Sequence, residues 1–274
     1  MSANLTQTDT DFVRDLVYRR SAIVLDETKA YLIESRLLQL AQDHGCATAS
    51  EVVKMAREGG PASAAQTRIV EAITTHETTF FRDVQPFEAL KKLILPQLLE
   101  GKPRPLTIWS AACSTGQEPY SLAMMILENF PQLANGRLRI VATDLSAQIV
   151  EKAKEGKYRQ MEMNRGLPAT YSLKYFDRVG STWQIKPEVR SLVSFRQLNL
   201  LDDWTGISAP DIVMMRYVLI YFDVPTKKKI LSRVARAVSP SGVLFLGGSE
   251  TTINVDDSWE RIPYEQTAYY RVRK

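Results

Sequence analysis

The sequence is short of the residues that build metal centres and disulfide frameworks. Cys46 and Cys113 are its only cysteines and His44 and His76 its only histidines among 274 residues. The two cysteines lie far apart without the paired ligand pattern of a zinc site, so both are read as small buried hydrophobes. No apolar run approaches the roughly 20 residues of a membrane helix. The start, MSANLTQTDTDF, lacks the basic-then-apolar order of a secretory signal, which gives a cytoplasmic reading. Repeats and low-complexity segments are missing, and so is the G-x-G-x-x-G fingerprint of a dinucleotide fold. A net charge of +4 leaves nucleic acid and acidic protein surfaces both open as partners.

The first 75 or so residues read as helices alone. The spacing predicts helices over Thr8 to Arg20, Glu27 to His44, Ser50 to Arg57 and Ala64 to Thr74, with Gly45 and Gly59-Gly60-Pro61 as breakers. From Leu106 onward short β-rich runs alternate with helical segments, the pattern of a parallel sheet with crossover helices. The expected strands are Leu106 to Ala111, Leu138 to Thr143, Val193 to Gln197, Ile212 to Met215 and Val243 to Leu246, with Thr267 to Val272 as an antiparallel edge. Helices over Glu118 to Asn129, Ala147 to Lys154 and Thr226 to Val238 fill most of the gaps. The fold class is therefore α/β: an all-helical domain over 1–76, then a doubly wound Rossmann-like domain over 77–274. The stretch 156–190 is too long for an ordinary connection, and its Asp177 to Ile185 reads as a hairpin turning at Gly180-Ser181, so it is taken as an inserted antiparallel β subdomain.

The loop after the first strand, Trp109-Ser-Ala-Ala-Cys-Ser-Thr-Gly-Gln-Glu-Pro-Tyr-Ser121, sits where open α/β sheets bind nucleotides. Its small side chains allow close approach to the backbone. Glu118, at the helix start, would repel a pyrophosphate but attract the sulfonium and amino groups of S-adenosylmethionine; it would also simply complement the helix dipole. Asp144 ends the second strand, the place of an acid that accepts from ribose hydroxyls, although Asp144 or Ser146 could equally cap the next helix. Asn199 follows the third strand, placed to meet an adenine edge or to form a turn.

Five segments in one order resemble the CheR family, the chemotaxis receptor glutamate methyltransferases, across essentially the whole chain. They are Thr78-Thr-Phe-Phe-Arg82, the loop Trp109 to Ser121, Ala142-Thr-Asp-Leu145, Asn199-Leu200 and Arg216-Tyr-Val-Leu-Ile-Tyr-Phe-Asp223. The resemblance implies methyl transfer from S-adenosylmethionine to receptor glutamates, with S-adenosylhomocysteine as product. It places His76, Thr78, Arg82, Glu118, Asp144, Asn199, Leu200, Arg216 and Tyr217 at cofactor positions, and Arg82 and Tyr221 at the reacting centre. His76 stands where relatives often have Asn, and Tyr217 replaces the Asn usual after the arginine. Phe80 and Phe81 are read as core. The implied partners are the cytoplasmic helical domains of chemoreceptors in membrane-bound arrays, met by basic residues such as Arg14, Arg19, Arg20, Lys29, Arg36, Lys54 and Arg57. A monomer is expected, without metal, nucleic acid or membrane insertion.

A glutamate titrates near 4.3, so the nucleophile is ionised at neutral pH and no catalytic base is needed. The competing readings are a nucleic-acid methyltransferase and a non-catalytic cofactor-binding regulator. The first lacks a Pro-Cys pair, an Asn-Pro-Pro-Tyr motif and an aromatic stacking platform. The second leaves the set Arg82, Glu118, Asp144, Arg216 and Tyr221 without a purpose.

Overall fold

The computed structural model describes residues 5–60, 63–100 and 104–273. The first four residues of the leader and Pro61 of the expected breaker lie outside them. Two compact units result: the described residues up to Thr75 together with Tyr221–Thr226, and His76–Ile220 with the described residues from Lys227 onward.

The smaller unit is a bundle of Gln7–Ser21, Ala30–Asp43, Ala49–Glu58 and Ala64–Ile73. Side chains that accept orphan amide protons start three of these helices. Thr6 accepts from Asp9 N in a capping box, Thr48 from Glu51 N and Ser63 from Gln66 N. Val13, Leu16, Val17, Ile33, Leu37, Val53, Ile69 and Ile73 are almost fully buried at helical spacing and make the core. Glu27–Lys29 is a separate 3-10 turn, so the expected long helix begins only at Ala30. The Tyr221–Thr226 strap joins this unit through an antiparallel Ile23–Phe222 bridge, Val24 N donating to Tyr221 O at 2.8 Å, and Tyr18 Oη donating to Asp223 Oδ2 at 2.8 Å.

The larger unit carries ten strands: β1 (Leu106–Ala111), β2 (Leu138–Asp144), β3 (Lys157–Arg159), β4 (Phe176–Val179), β5 (Thr182–Ile185), β6 (Val193–Gln197), β7 (Ile212–Met215), β8 (Val243–Leu246), β9 (Trp259–Tyr264) and β10 (Thr267–Val272). Seven form one sheet in the order β6-β2-β1-β7-β8-β10-β9. Its first five strands are mutually parallel, and β10 pairs antiparallel with both β8 and β9. Strands β7 and β8 are continuous apolar runs because both sheet faces are covered. The remaining strands make the antiparallel sheet β3-β5-β4.

Three features depart from the sequence reading. The edge is β9 rather than β10, and β9 escaped notice because Trp-Glu-Arg-Ile-Pro-Tyr is polar and broken by Pro263, which an edge strand tolerates. A helix over Val84–Leu99, with a π-helical turn at Leu90–Ile94, precedes β1. The insertion holds short helices as well as its hairpin, and it packs inward through Phe80, whose ring meets Tyr158 edge-on at 4.9 Å and Phe176 at 5.6 Å. Gly166 is obligatory there, since a Cβ would lie 2.1 Å from Phe80 O.

Asp211 ties three strands together. Its fully buried carboxylate accepts two hydrogen bonds from Arg104 at 2.6 and 3.1 Å, one from Thr107 N at 2.9 Å and one from Ser239 Oγ at 2.8 Å. Replacing it by Ala strands buried donors, and Asp211→Ala is predicted to lose about 3 kcal/mol in denaturant unfolding. A loss under about 1 kcal/mol would remove Asp211 from this role.

Candidate functional site

The site begins where β1 and β2 end side by side, Ala111 in register with Thr143. Cys113 N donates to Thr143 O at 2.9 Å, and the loop then turns through left-handed backbone at Ala112, Ser114 and Gly116. Gly116 suits this turn, because a Cβ would come within 3.1 Å of Ala153 Cβ at a φ of +92°. Asp144, 6% exposed, accepts from Ser114 N at 2.8 Å and from Ser146 N at 3.2 Å. Ser146, not Asp144, caps the following helix by accepting from Ile149 N. His76 Nδ1 lies 4.0 Å from Asp144 Oδ1, and His76 O accepts from Ser114 Oγ at 2.8 Å. Burial pushes the Asp144 carboxyl above its usual range, opposed by His76 and by the backbone N–H groups. Burial also drives the Cys113 thiol well up, so it stays protonated and is no nucleophile. Cys46, by contrast, is only half-buried, its Sγ 3.8 Å from Met55 Sδ, so the expectation of two buried cysteines holds for Cys113 alone.

A second cluster sits at the end of β7. The Arg216 side chain, 2% exposed, donates from Nη1 to Glu118 Oε2 at 2.9 Å, and from Nη2 to Arg82 O at 2.6 Å and Asp83 Oδ2 at 2.7 Å. Its buried Nε meets no acceptor among the described residues. Glu118 Oε1 also accepts from Ser110 Oγ at 2.8 Å. Arg216 therefore balances the Glu118 charge, while a carboxylate's four or so lone-pair positions leave it capacity to accept more.

Tyr217 occupies left-handed backbone, φ 59°, held by donation from its N to Glu250 Oε2 at 2.6 Å. The Glu250 carboxylate accepts from Gly247 N and Ile220 N as well, fixing the ends of β7 and β8. The Tyr217 hydroxyl donates to Asp83. Its phenol is raised by burial and then by that bond. The Arg82 guanidinium lies 3.6 Å from the centre of the Tyr217 ring and donates to Glu77 O at 3.2 Å. Asp83, Ser110 and Glu250 were not found by sequence reasoning. Nothing in their spacing announces them: Asp83 meets Arg216 across 133 residues and Glu250 meets Tyr217 across 33, while Ser110 is a plain donor on a strand.

Asn199 Oδ1 accepts from Leu201 N at 3.1 Å in a side-chain turn, with Leu200 buried behind it. Leu198 N donates to Asp144 O at 2.8 Å, which sets this turn beside the end of β2. Thr78 is half-buried; Phe80 and Phe81 are core, Phe81 N donating to Ser121 Oγ at 2.9 Å. Tyr221 stands apart: it ends the turn Leu219–Tyr221 and belongs to the helical unit.

Glu118 thus follows β1, Asp144 ends the neighbouring β2, and Asp83 is tied to Glu118 through the Arg216 guanidinium, whose buried Nε has no acceptor among the described residues. Such a donor set fits a ligand with an ammonium group, hydroxyls and a carboxylate. It opposes a pyrophosphate.

Two family models match the chain: "CheR methyltransferase, all-alpha domain" over residues 8–74 and "CheR methyltransferase, SAM binding domain" over residues 76–268. Chemotaxis protein methyltransferase 1 of Pseudomonas aeruginosa is 41% identical, covering 97% of this chain and 98% of its own. Chemotaxis protein methyltransferase Cher2 of Pseudomonas putida is 40% identical over 96% and 98%. A solved structure, PKMT2 from Rickettsia typhi in complex with AdoHcy, covers 63% of this chain and 26% of its own at 17% identity and a TM-score of 0.37, too slight a likeness to bear on function.

Because burial raises the folded Asp144 carboxyl above its ordinary value, its stabilising contribution is complete below that ordinary value and is lost as pH rises through the folded one. Wild type is predicted to lose stability relative to Asp144→Asn as urea unfolding is repeated from about pH 4 to about pH 8. The opposite slope would mean that the site stabilises the charged form.

Proposed function

The chain belongs to the CheR methyltransferase family, and from that premise we propose that its acceptors are glutamate side chains of the chemotaxis receptors and that the residues gathered at the ends of β1, β2 and β7 hold the cofactor. It is an S-adenosylmethionine-dependent methyltransferase of chemotaxis, and chemoreceptors are its substrates. The observation that carries the assignment of residues is the Arg216 network, in which one buried guanidinium joins Glu118, Asp83 and the Arg82 carbonyl.

In this reading the Glu118 carboxylate would accept from the cofactor's amino group, Arg216 Nε would donate to its carboxylate, Asp144 would accept from the ribose hydroxyls, and the Asn199-Leu200 turn would meet the adenine edge. His76, Thr78 and Tyr217 line the same region. Bound S-adenosylmethionine supplies an electrophilic methyl group and departs as S-adenosylhomocysteine. The chain's own task is positional, since the acceptor carboxylate is already ionised at pH 7. Arg82, its guanidinium 3.6 Å from the centre of the Tyr217 ring, orients that carboxylate by charge-assisted hydrogen bonds, and the Tyr221 hydroxyl is the second group proposed to act in catalysis. Orientation and exclusion of water supply several kcal/mol of the barrier reduction.

Arg36 supports docking of an acidic receptor helix by the helical unit: it is exposed and pairs with no acid among the described residues, whereas Arg14, Arg19, Lys29, Lys54 and Arg57 all have carboxylate partners. We read the enzyme as a monomer acting in the cytoplasm on membrane-bound receptor arrays. No helix among the described residues is long and apolar enough to cross a membrane.

With methyl-labelled cofactor and chemoreceptor cytoplasmic fragments, label is predicted on the receptor and released as methanol in mild base. Base-stable label would exclude a carboxyl ester. Arg82→Ala and Tyr221→Phe are each predicted to lower kcat at least about tenfold; unaltered kcat would take either residue out of catalysis. Arg36→Glu is predicted to raise KM for receptor alone, and an unchanged receptor KM would remove Arg36 from the docking face.

A further inference from the structure

One guanidinium outside the cluster just described holds the turn that faces adenine in the proposed reading. Arg233, on the Val224–Ala237 helix after β7, donates from Nη1 to Leu200 O at 2.8 Å and Leu201 O at 3.2 Å, and from Nη2 to Asp202 O at 2.5 Å. Three consecutive carbonyls therefore converge on one planar cation. The same guanidinium stacks on Trp204, 4.1 Å from the ring centre, and Trp204 Nε1 donates to Leu200 O at 3.3 Å. Trp204 meets Trp109 edge-on at 4.8 Å, and Trp109 Nε1 donates to Thr143 Oγ1 at 3.0 Å, one residue before Asp144.

The consequence is geometric. Arg233 ties the three carbonyls to the Val224–Ala237 helix, and the Asn199 side chain closes the same turn by accepting from Leu201 N. Without the cation, three carbonyl dipoles would crowd one another and the turn would relax. Lysine cannot substitute fully, because a point charge does not reach three acceptors in a fixed fork.

We propose that Arg233 is a positioning residue for nucleobase recognition: by clamping the Leu200, Leu201 and Asp202 carbonyls against Trp204 it fixes the turn that distinguishes adenine from other purines. This inference rests on the reading that the Asn199-Leu200 turn meets adenine. Adenine presents an amino donor and a ring-nitrogen acceptor on its Watson–Crick edge, and hypoxanthine presents the reverse, so a fixed turn accepts one and rejects the other while a relaxed turn does not.

The test is calorimetric titration of the intact protein with S-adenosylhomocysteine and with its hypoxanthine counterpart, S-inosylhomocysteine, in wild type, Arg233→Ala and Arg233→Lys. Wild type is expected to prefer the adenine ligand at least about tenfold. Arg233→Ala is expected to lose most of that preference, by weaker binding of the adenine ligand with the hypoxanthine ligand little changed, and Arg233→Lys to retain an intermediate preference. A thermal melt of each variant separates this from unfolding, and if Arg233→Ala does not fold, Arg233→Lys decides. A preference kept at the wild-type ratio in the folded variants, or equal weakening of both ligands, overturns the positioning role. Absence of any preference in wild type itself instead overturns the adenine reading on which the inference stands.

Discussion

The buried guanidinium of Arg216 is the constraint on which the site depends. A cation at 2% exposure is tolerable only with carboxylate partners, and its two come from different parts of the chain, Glu118 at a helix start and Asp83 after Arg82. Supplying them forces the end of β7, the helix after β1 and the segment before the Val84–Leu99 helix to one place. Removing one partner of such a pair typically costs 3–5 kcal/mol or so, so the arrangement is held firmly. Arg82 and Tyr217 then take their positions from neighbours of Arg216: Arg82 through its carbonyl and Tyr217 through Asp83 and Glu250.

The chemistry asks for little more than this. No proton has to move before an ionised carboxylate attacks, which accords with a site whose titratable groups are committed to structure. Cys113 is a buried thiol, and Tyr217 donates its hydroxyl to Asp83. What the chain contributes is fixed charge and fixed backbone at strand ends, where parallel sheets converge their loops.

Much of this was legible in the residues. The five parallel strands and β10 were readable because their apolar runs have strand length and turn signals at both ends, and Asp144 and Glu118 because they fall at the ends of consecutive strands. Edge strand β9 lacks strand alternation and is broken by Pro263, and the helix before β1 carries Pro86 and Pro96 inside its span, which masks it as a helix. The pairing of Arg216 with Glu118 across 98 residues, and the three amides held by Glu250, carry no local pattern at all. The placement of Tyr221 in the helical unit, although it lies between two elements of the larger one, is equally a property of packing.

The most direct measurement is the affinity of Arg216→Lys for S-adenosylhomocysteine by calorimetry, with circular dichroism confirming that the variant is folded. Lysine keeps the charge but cannot bridge Glu118, Asp83 and the Arg82 carbonyl together. The account predicts binding weakened at least about tenfold, a loss of about 1.4 kcal/mol or more. Wild-type affinity in a folded Arg216→Lys protein would contradict it and leave the cofactor held by other residues.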